Sequence, residues 1–190
     1  MPMIKLPLTI AYGLLGFVRR QPLHGYEIAQ RLQATEALGL AWNWKQSQIY
    51  AELGYLEQEG YLSSAVVVQG TRPPRKVFQL TAAGSLAFAD WIARPVPHGY
   101  DFQMEFPIKL YFAQQEGNAA ALALLDCQQN ACRSWLADLR INPSDGDDQS
   151  YTRLVHLFHL SQIETILAWL TTCRTHIEND EGRGQPPGNP

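Results

Sequence analysis

Two short segments carry side chains suited to gripping and reading a polyanion. The first, Trp44-Lys45-Gln46-Ser47-Gln48-Ile49-Tyr50, places Lys45, Gln46, Ser47 and Gln48 at the start of an apolar-periodic stretch. At the N-terminal end of a helix these types fit the major groove of duplex DNA. Glutamine matches the edge of adenine, lysine matches guanine or phosphate, and serine serves either. Ile49, Leu53 and Leu56 fall on the inward face of the same helix. Taken alone, the segment fits an amphipathic helix with a solvated polar end equally well. The second segment, Gly70-Thr71-Arg72-Pro73-Pro74-Arg75-Lys76, gathers Arg72, Arg75 and Lys76 on a two-proline turn. A stiff turn lowers the entropy lost when cations are presented. Such a tip meets phosphates or enters a minor groove, where arginine is favoured. A plain solvated basic turn is the competing reading, and the helices that precede it weigh against that.

The elements around these segments must position them. Leu6–Val18 has helical apolar spacing (Leu8, Ile10, Ala11, Leu14, Leu15, Val18), and Arg19 and Arg20 follow it. Gln21-Pro22-Leu23 stops it, and His24-Gly25 opens a second helix, Tyr26–Ala37, ended by Gly39. A third helix is expected from about Ser47 to Glu59, with Gly60 as its terminator. The period then changes. Tyr61–Gln69 contains the β-branched run Val66-Val67-Val68, Gly70–Pro74 is a turn, and Arg75–Leu80 alternates like a strand. Thr81 caps a fourth helix, Ala82–Ala93. Three helices, a hairpin and a helix make a winged helix-turn-helix with a basic wing.

Arg94-Pro95-Val96-Pro97-His98-Gly99 marks a boundary. The expected division is a winged-helix domain over residues 1–93, a linker over 94–100, a helical domain over 101–178 and a disordered Gly/Pro-rich tail over 179–190. The fold class is thus mainly α with a small β-hairpin, extended by a coiled-coil-like helical domain. Leu122, Leu125, Gln129, Cys132, Leu136 and Leu139 recur every three or four residues, as in a heptad seam. Asn142–Gln149 is a polar, acidic loop, after which Leu157, Leu160, Ile163, Leu167, Leu170, Cys173 and Ile177 make a second stripe. Two long seams exceed what a small winged helix needs to cover, which favours a homodimer over a monomeric helical core.

Composition excludes several classes. The net charge of −3 is uneven: residues 1–90 hold eight Lys/Arg against six Asp/Glu, and residues 91–190 hold seven against twelve. A modestly basic front half suits DNA contact through one end. The three cysteines, Cys127, Cys132 and Cys173, lack CxxC spacing, so a zinc knuckle or disulfide framework is not expected. They read as reduced, mostly buried thiols. No signal peptide or membrane-length apolar run is present, so the expected location is cytoplasmic, with no membrane partner. A nucleophile elbow, phosphate loop, HExxH and paired carboxylates are all missing, so neither an enzyme nor a cofactor is expected. His156 and His159, followed by Glu164, could begin a metal site but have no evident third ligand. A pure protein-interaction scaffold is the remaining rival.

Residues 8–88 resemble the PadR family of transcriptional regulators. The resemblance runs through Leu14-Leu15-Gly16 and Pro22-Leu23-His24-Gly25-Tyr26-Glu27-Ile28, then Ser47, Ile49-Tyr50, Leu53, Leu56-Glu57 and Glu59-Gly60. It ends with Arg75-Lys76-Val77-Phe78, Leu80-Thr81 and Ala83-Gly84. It implies a sequence-specific DNA-binding regulator, by family default a repressor, acting on a double-stranded operator. Tyr26 would approach the DNA backbone, and Ser47–Tyr50, with Tyr50, would lie on the recognition helix. The wing, usually Gly-Arg-Pro-Arg-Lys, has extra residues here, so Thr71, Arg72, Arg75 and Lys76 are carried over as a group. The resemblance also implies a homodimer through the C-terminal helices, here Leu122, Leu125, Cys132, Leu136, Leu157, Leu160, Ile163, Leu167 and Leu170. Finally, it implies release from DNA by a small aromatic ligand bound between domains. Trp91, Tyr100, Phe102, Phe106 and Lys109 are the candidate residues, with interdomain core as the competing reading of the aromatics.

Overall fold

The computed structural model describes residues 8–34, 45–67, 74–141 and 149–183. These form α1 (Leu8–Val18), β1 (Leu23–His24), α2 (Gly25–Ala34), α3 (Gln46–Gln58), β2 (Leu62–Val67) and β3 (Arg75–Leu80). They continue with α4 (Ala82–Ala93), α5 (Phe102–Glu116), α6 (Asn118–Ile141) and α7 (Gln149–Arg183). The end expected for the second helix, the wing tip and the acidic loop lie outside the described residues. The chain packs as two units. The first takes residues to Ile92 together with Gln103–Phe112, and the second takes Ala93–Phe102 and everything from Ala113. The packing units differ from a division at 94–100 in one respect: most of α5 groups with the first unit, where Phe106, Ile108 and Phe112 are apolar and buried.

In the first unit α1 is apolar around most of its circumference and lies in the core. Ala11, Leu14, Leu15, Phe17 and Val18 are all buried. It packs against α2, α3 and β3. The inward stripe of α3 is Ile49, Leu53 and Leu56, each fully buried. Burying such side chains stabilises by roughly 1.5–3 kcal/mol each. α3 ends in a Schellman motif. Gly60 has φ +78°, Tyr61 N–H donates to Leu56 C=O at 2.9 Å, and Gly60 N–H donates to Glu57 C=O at 3.0 Å.

The sheet has the order β1-β3-β2 and is antiparallel throughout. β2 and β3 form the expected hairpin, in a register that pairs Ser64 with Phe78 and Val67 with Arg75. β1 is an addition that the sequence did not announce. Its two residues pair Leu23 with Phe78 and His24 with Val77, and two residues are too few to show an alternating pattern.

One joint ties the end of α3 to the start of α4. Thr81 Oγ1 accepts from Gly84 N–H at 3.0 Å, capping α4, and donates to Gly60 C=O at 2.7 Å. Thr81 N–H donates to Tyr61 C=O at 3.1 Å. A Cβ on Gly84 would sit 2.1 Å from the Tyr61 carbonyl oxygen, so only glycine fits there.

In the second unit α6 and α7 pack on each other. Asp126 pairs with Arg174, Gln129 bonds Thr171 at 3.5 Å, and Arg140 meets Glu164 at 3.8 Å. Rising numbers on α6 meet falling numbers on α7, so the two helices are antiparallel. Leu125, Cys132, Ile163 and Leu170 are buried within the chain. They belong to this intrachain pair, which corrects their assignment to a surface between copies. Leu122, Leu136, Leu160 and Leu167 are half-buried, and Leu157 is exposed. α7 also continues to Arg183, five residues into the segment expected to be a disordered tail. Burial pushes the Cys132 and Cys173 thiols above their ordinary value, whereas Cys127 is exposed.

Gly84→Ala is expected to destabilise the first unit by at least the 1–3 kcal/mol typical of overpacking, and Leu53→Ala by about 2–5 kcal/mol. Urea unfolding followed by circular dichroism measures both.

Candidate nucleic-acid interface

The start of α3 is built for display. Lys45, immediately before α3, is extended (φ −72°, ψ 147°). Its N–H donates to Gln48 Oε1 at 2.9 Å, while Gln48 N–H donates to Lys45 C=O at 2.9 Å. Lysine has no side-chain acceptor to complete a capping box, so the cap rests on Gln48. Lys45, Gln46, Ser47 and Gln48 are all exposed. The Oε1 of Gln48 is thus engaged by the protein, and its carboxamide N–H₂ is the group it offers outward.

The start of α2 lies against α3. Glu27 Oε2 accepts from His24 N–H at 2.8 Å and fixes the first turn. A Cβ on Gly25 would fall 2.5 Å from Tyr50 Cε1, so the glycine lets the Tyr50 ring lie over the helix start. Tyr26 is more than half exposed. His24, Gly25, Tyr26 and Glu27, with Tyr50 from α3 and Pro74, Arg75 and Lys76 from the base of the wing, enclose a cleft of about 490 Å³. The fold therefore brings Tyr26, Tyr50, Arg75 and Lys76 to one place, next to Lys45–Gln48. Thr71 and Arg72 lie outside the described residues.

Glu57 is the residue of this candidate site that sequence reasoning passed over. It stands in the family-like string but was given no role. Its Oε2 accepts from Lys76 Nζ at 2.5 Å and its Oε1 accepts from Ser64 Oγ at 2.5 Å. The carboxylate thus joins α3 to both strands of the hairpin. Lys76 Nζ also lies 5.2 Å from the centre of the Phe78 ring. Lys76, though exposed like Arg75, is therefore held at the wing base. No local pattern reveals this pairing, because Glu57 and Lys76 are 19 residues apart.

The other predicted residues fall into separate places. In the first unit Trp91, Phe106 and Lys109 are buried. Lys109 Nζ already pairs with Glu105 at 2.8 Å, with both side chains 2% exposed. Trp91 Nε1–H donates to Glu105 Oε1 at 2.9 Å, and Lys109 Nζ lies 5.1 Å from the centre of the Trp91 ring. In the second unit Tyr100 is exposed, and Phe102 is buried edge-on to Trp169. His156 is half-buried and His159 exposed. Among the described residues no three His, Cys, Asp or Glu side chains gather as metal ligands, and no helix is long and apolar enough to cross a membrane.

The hydrogen bonds from Lys76 and Ser64 hold the Glu57 carboxyl below its ordinary value of 4.5. A depressed carboxyl contributes stability that is complete above 4.5 and is lost as pH falls through the lower folded value. Partial exposure limits the ion pair to about 1 kcal/mol. Thermal melts of wild type and Glu57→Gln are expected to differ at neutral pH and to converge as pH falls below 4.5.

Residues 14–90 match the Transcriptional regulator PadR-like family, and residues 103–178 match Virulence activator alpha C-term. The chain is 34% identical over 132 residues to the Negative transcriptional regulator PadR of Bacillus subtilis, covering 70% of this chain and 71% of that one. Similar solved structures include Bacillus subtilis PadR in complex with operator DNA (29% identity, 88% of this chain and 98% of that one, TM-score 0.44). Bacillus subtilis PadR in complex with p-coumaric acid is another (28% identity, 90% and 99%, TM-score 0.40).

Proposed function

The chain belongs to the PadR-like family of transcriptional regulators, and from that premise we propose that it is a homodimeric, sequence-specific DNA-binding repressor, released by a small aromatic molecule. The observation that carries the DNA reading is the gathering of Tyr26, Tyr50, Arg75 and Lys76 around one cleft beside the outward polar start of α3. In this reading Lys45, Gln46, Ser47 and Gln48 enter the major groove. Tyr26 and Tyr50 approach the phosphate backbone. Arg75 and the tip residues Thr71 and Arg72 grip the flanking backbone or minor groove. Lys76 acts chiefly by holding the wing to α3 through Glu57.

The dimer reading is supported by α7. It has 35 residues against 24 in α6, so at 1.5 Å per residue it is about 16 Å longer. On the antiparallel pairing, its first turns run past the end of α6. There Tyr151, Leu154, Leu157 and Phe158 are exposed on successive turns. A second copy covering this stripe would give two recognition helices, matching half-sites about one DNA turn apart. Repression and release by an aromatic effector are brought over from the Bacillus subtilis relative, the first from its name and the second from its complex with p-coumaric acid.

Fluorescence anisotropy on DNA upstream of the gene tests the first claim. Binding is expected to be saturable and salt-dependent, with the log–log slope reduced by about one in Arg75→Ala. No binding above that to random DNA, there or after selection from a random pool, would overturn it. Gln48→Glu keeps the acceptor that caps Lys45 but replaces an amide donor with a carboxylate. Selection from a random pool is then expected to shift the preference toward cytosine at one position per half-site, since carboxylates accept from the cytosine amino group. An unchanged preference would take Gln48 off the base edges. Sedimentation of Leu154→Glu/Phe158→Glu is expected to yield monomers, whereas wild type sediments as a dimer at micromolar concentration.

A further inference from the structure

We infer that His24 is a further binding residue of the cleft and takes up a proton when a DNA backbone phosphate enters it, so that affinity for DNA rises as pH falls; this rests on the reading of the chain as a DNA-binding regulator. Histidine is the side chain whose charge ordinarily changes between about pH 5 and 8. The chain has five histidines, and His24 is the only one before His98. The first unit therefore contains a single imidazole, and that imidazole lines the cleft.

The backbone holds the ring in place. His24 belongs to β1, pairs with Val77 of β3 and stands immediately before α2. It is half-buried. Its Nδ1 is shielded from solvent and has no hydrogen-bond partner among the described residues. A neutral imidazole keeps one nitrogen bare as an acceptor. Since no donor occupies Nδ1, a second proton can bind there.

The charges around the cleft decide when it does. From α2 comes one anion, Glu27, whose Oε2 accepts from the His24 backbone N–H at 2.8 Å. From β3 come two cations, Arg75 and Lys76, the second paired with Glu57 of α3. The phenols of Tyr26 on α2 and Tyr50 on α3 are the other titratable groups of the lining. In the free protein Glu27 favours an imidazolium, and Arg75 and Lys76 oppose it. A phosphate in the cleft adds negative charge beside the same ring and offsets the two cations, which tips the balance toward the charged form. Linkage is reciprocal: if bound DNA strengthens the hold on a proton, the proton strengthens the hold on DNA by the same factor. The imidazole's value is thus higher in the complex than in the free protein. The added affinity is complete below the free value and is lost as pH rises through the bound one.

Fluorescence anisotropy of the full-length protein on a duplex selected from a random pool tests the proposal, at fixed ionic strength and from about pH 5.5 to 8. Wild-type affinity is expected to fall as pH rises, by up to about tenfold per pH unit for each proton lost. His24→Asn keeps a small polar side chain that does not titrate. It is expected to show the high-pH affinity of wild type at every pH. Calorimetry of the same binding near neutral pH, in two buffers of different ionisation heat, counts the protons directly. Wild type is expected to take up as much as about one per chain, and His24→Asn none. His24→Gln serves where His24→Asn does not fold. A pH slope in these variants equal to that of wild type would overturn the proposal, even if they bind more weakly throughout, because a merely structural role leaves the slope unchanged. Saturable wild-type binding with no pH slope and no proton uptake would overturn it and leave the DNA-binding reading intact. No saturable binding at any pH would overturn both.

Discussion

The rotation of α3 about its axis is the constraint on which the rest depends. Ile49, Leu53 and Leu56 are completely buried, on one stripe, against α1, α2 and the sheet. Turning the helix by a quarter would expose them and forfeit several kcal/mol of apolar burial. With the stripe fixed, Lys45, Gln46, Ser47 and Gln48 have only the outward face left to occupy. Tyr50 is then brought onto Gly25, and this places the start of α2 beside the start of α3. The polar surface at the start of α3 is thereby set by a core that never touches it.

The wing is registered to that helix twice. At one end the Gly60 turn and the Thr81 cap join α3 to α4 through shared carbonyls. Farther along, Glu57 takes a hydroxyl from β2 and an ammonium from β3. The hairpin therefore cannot swing freely relative to α3. In the second unit the same physics works differently. The apolar stripes of α6 and α7 are used mainly against each other, and the start of α7 leaves Tyr151, Leu154, Leu157 and Phe158 exposed.

Much of the first unit was legible. The fourth helix was expected at Ala82–Ala93 and lies there, because Thr81 and the helical period give an unambiguous start. Gly60 ended α3 as its positive φ demands. β1 was missed because a two-residue strand has no period. Glu57 was missed because charge patterns are read over three or four residues, and its partner Lys76 lies on β3. The heptad spacing located α6 and α7 correctly, yet spacing alone cannot say whether a seam is matched within the chain or by a second one. Lys109 was assigned to a ligand although Glu105, four residues earlier, was a visible helical partner. The gathering of Tyr26, Tyr50 and Arg75 follows from tertiary packing, and only the family resemblance pointed to it.

The most direct test of the central claim is hydroxyl-radical footprinting of the protein, free and bound to a DNA duplex selected from a random pool. The account predicts protection of residues 24–27, 45–50 and 74–76, with the surface of the second unit unchanged between the free and bound dimer. Unchanged labelling of Tyr26, Tyr50 and Pro74 in a saturated complex, or protection confined to the second unit, would contradict it.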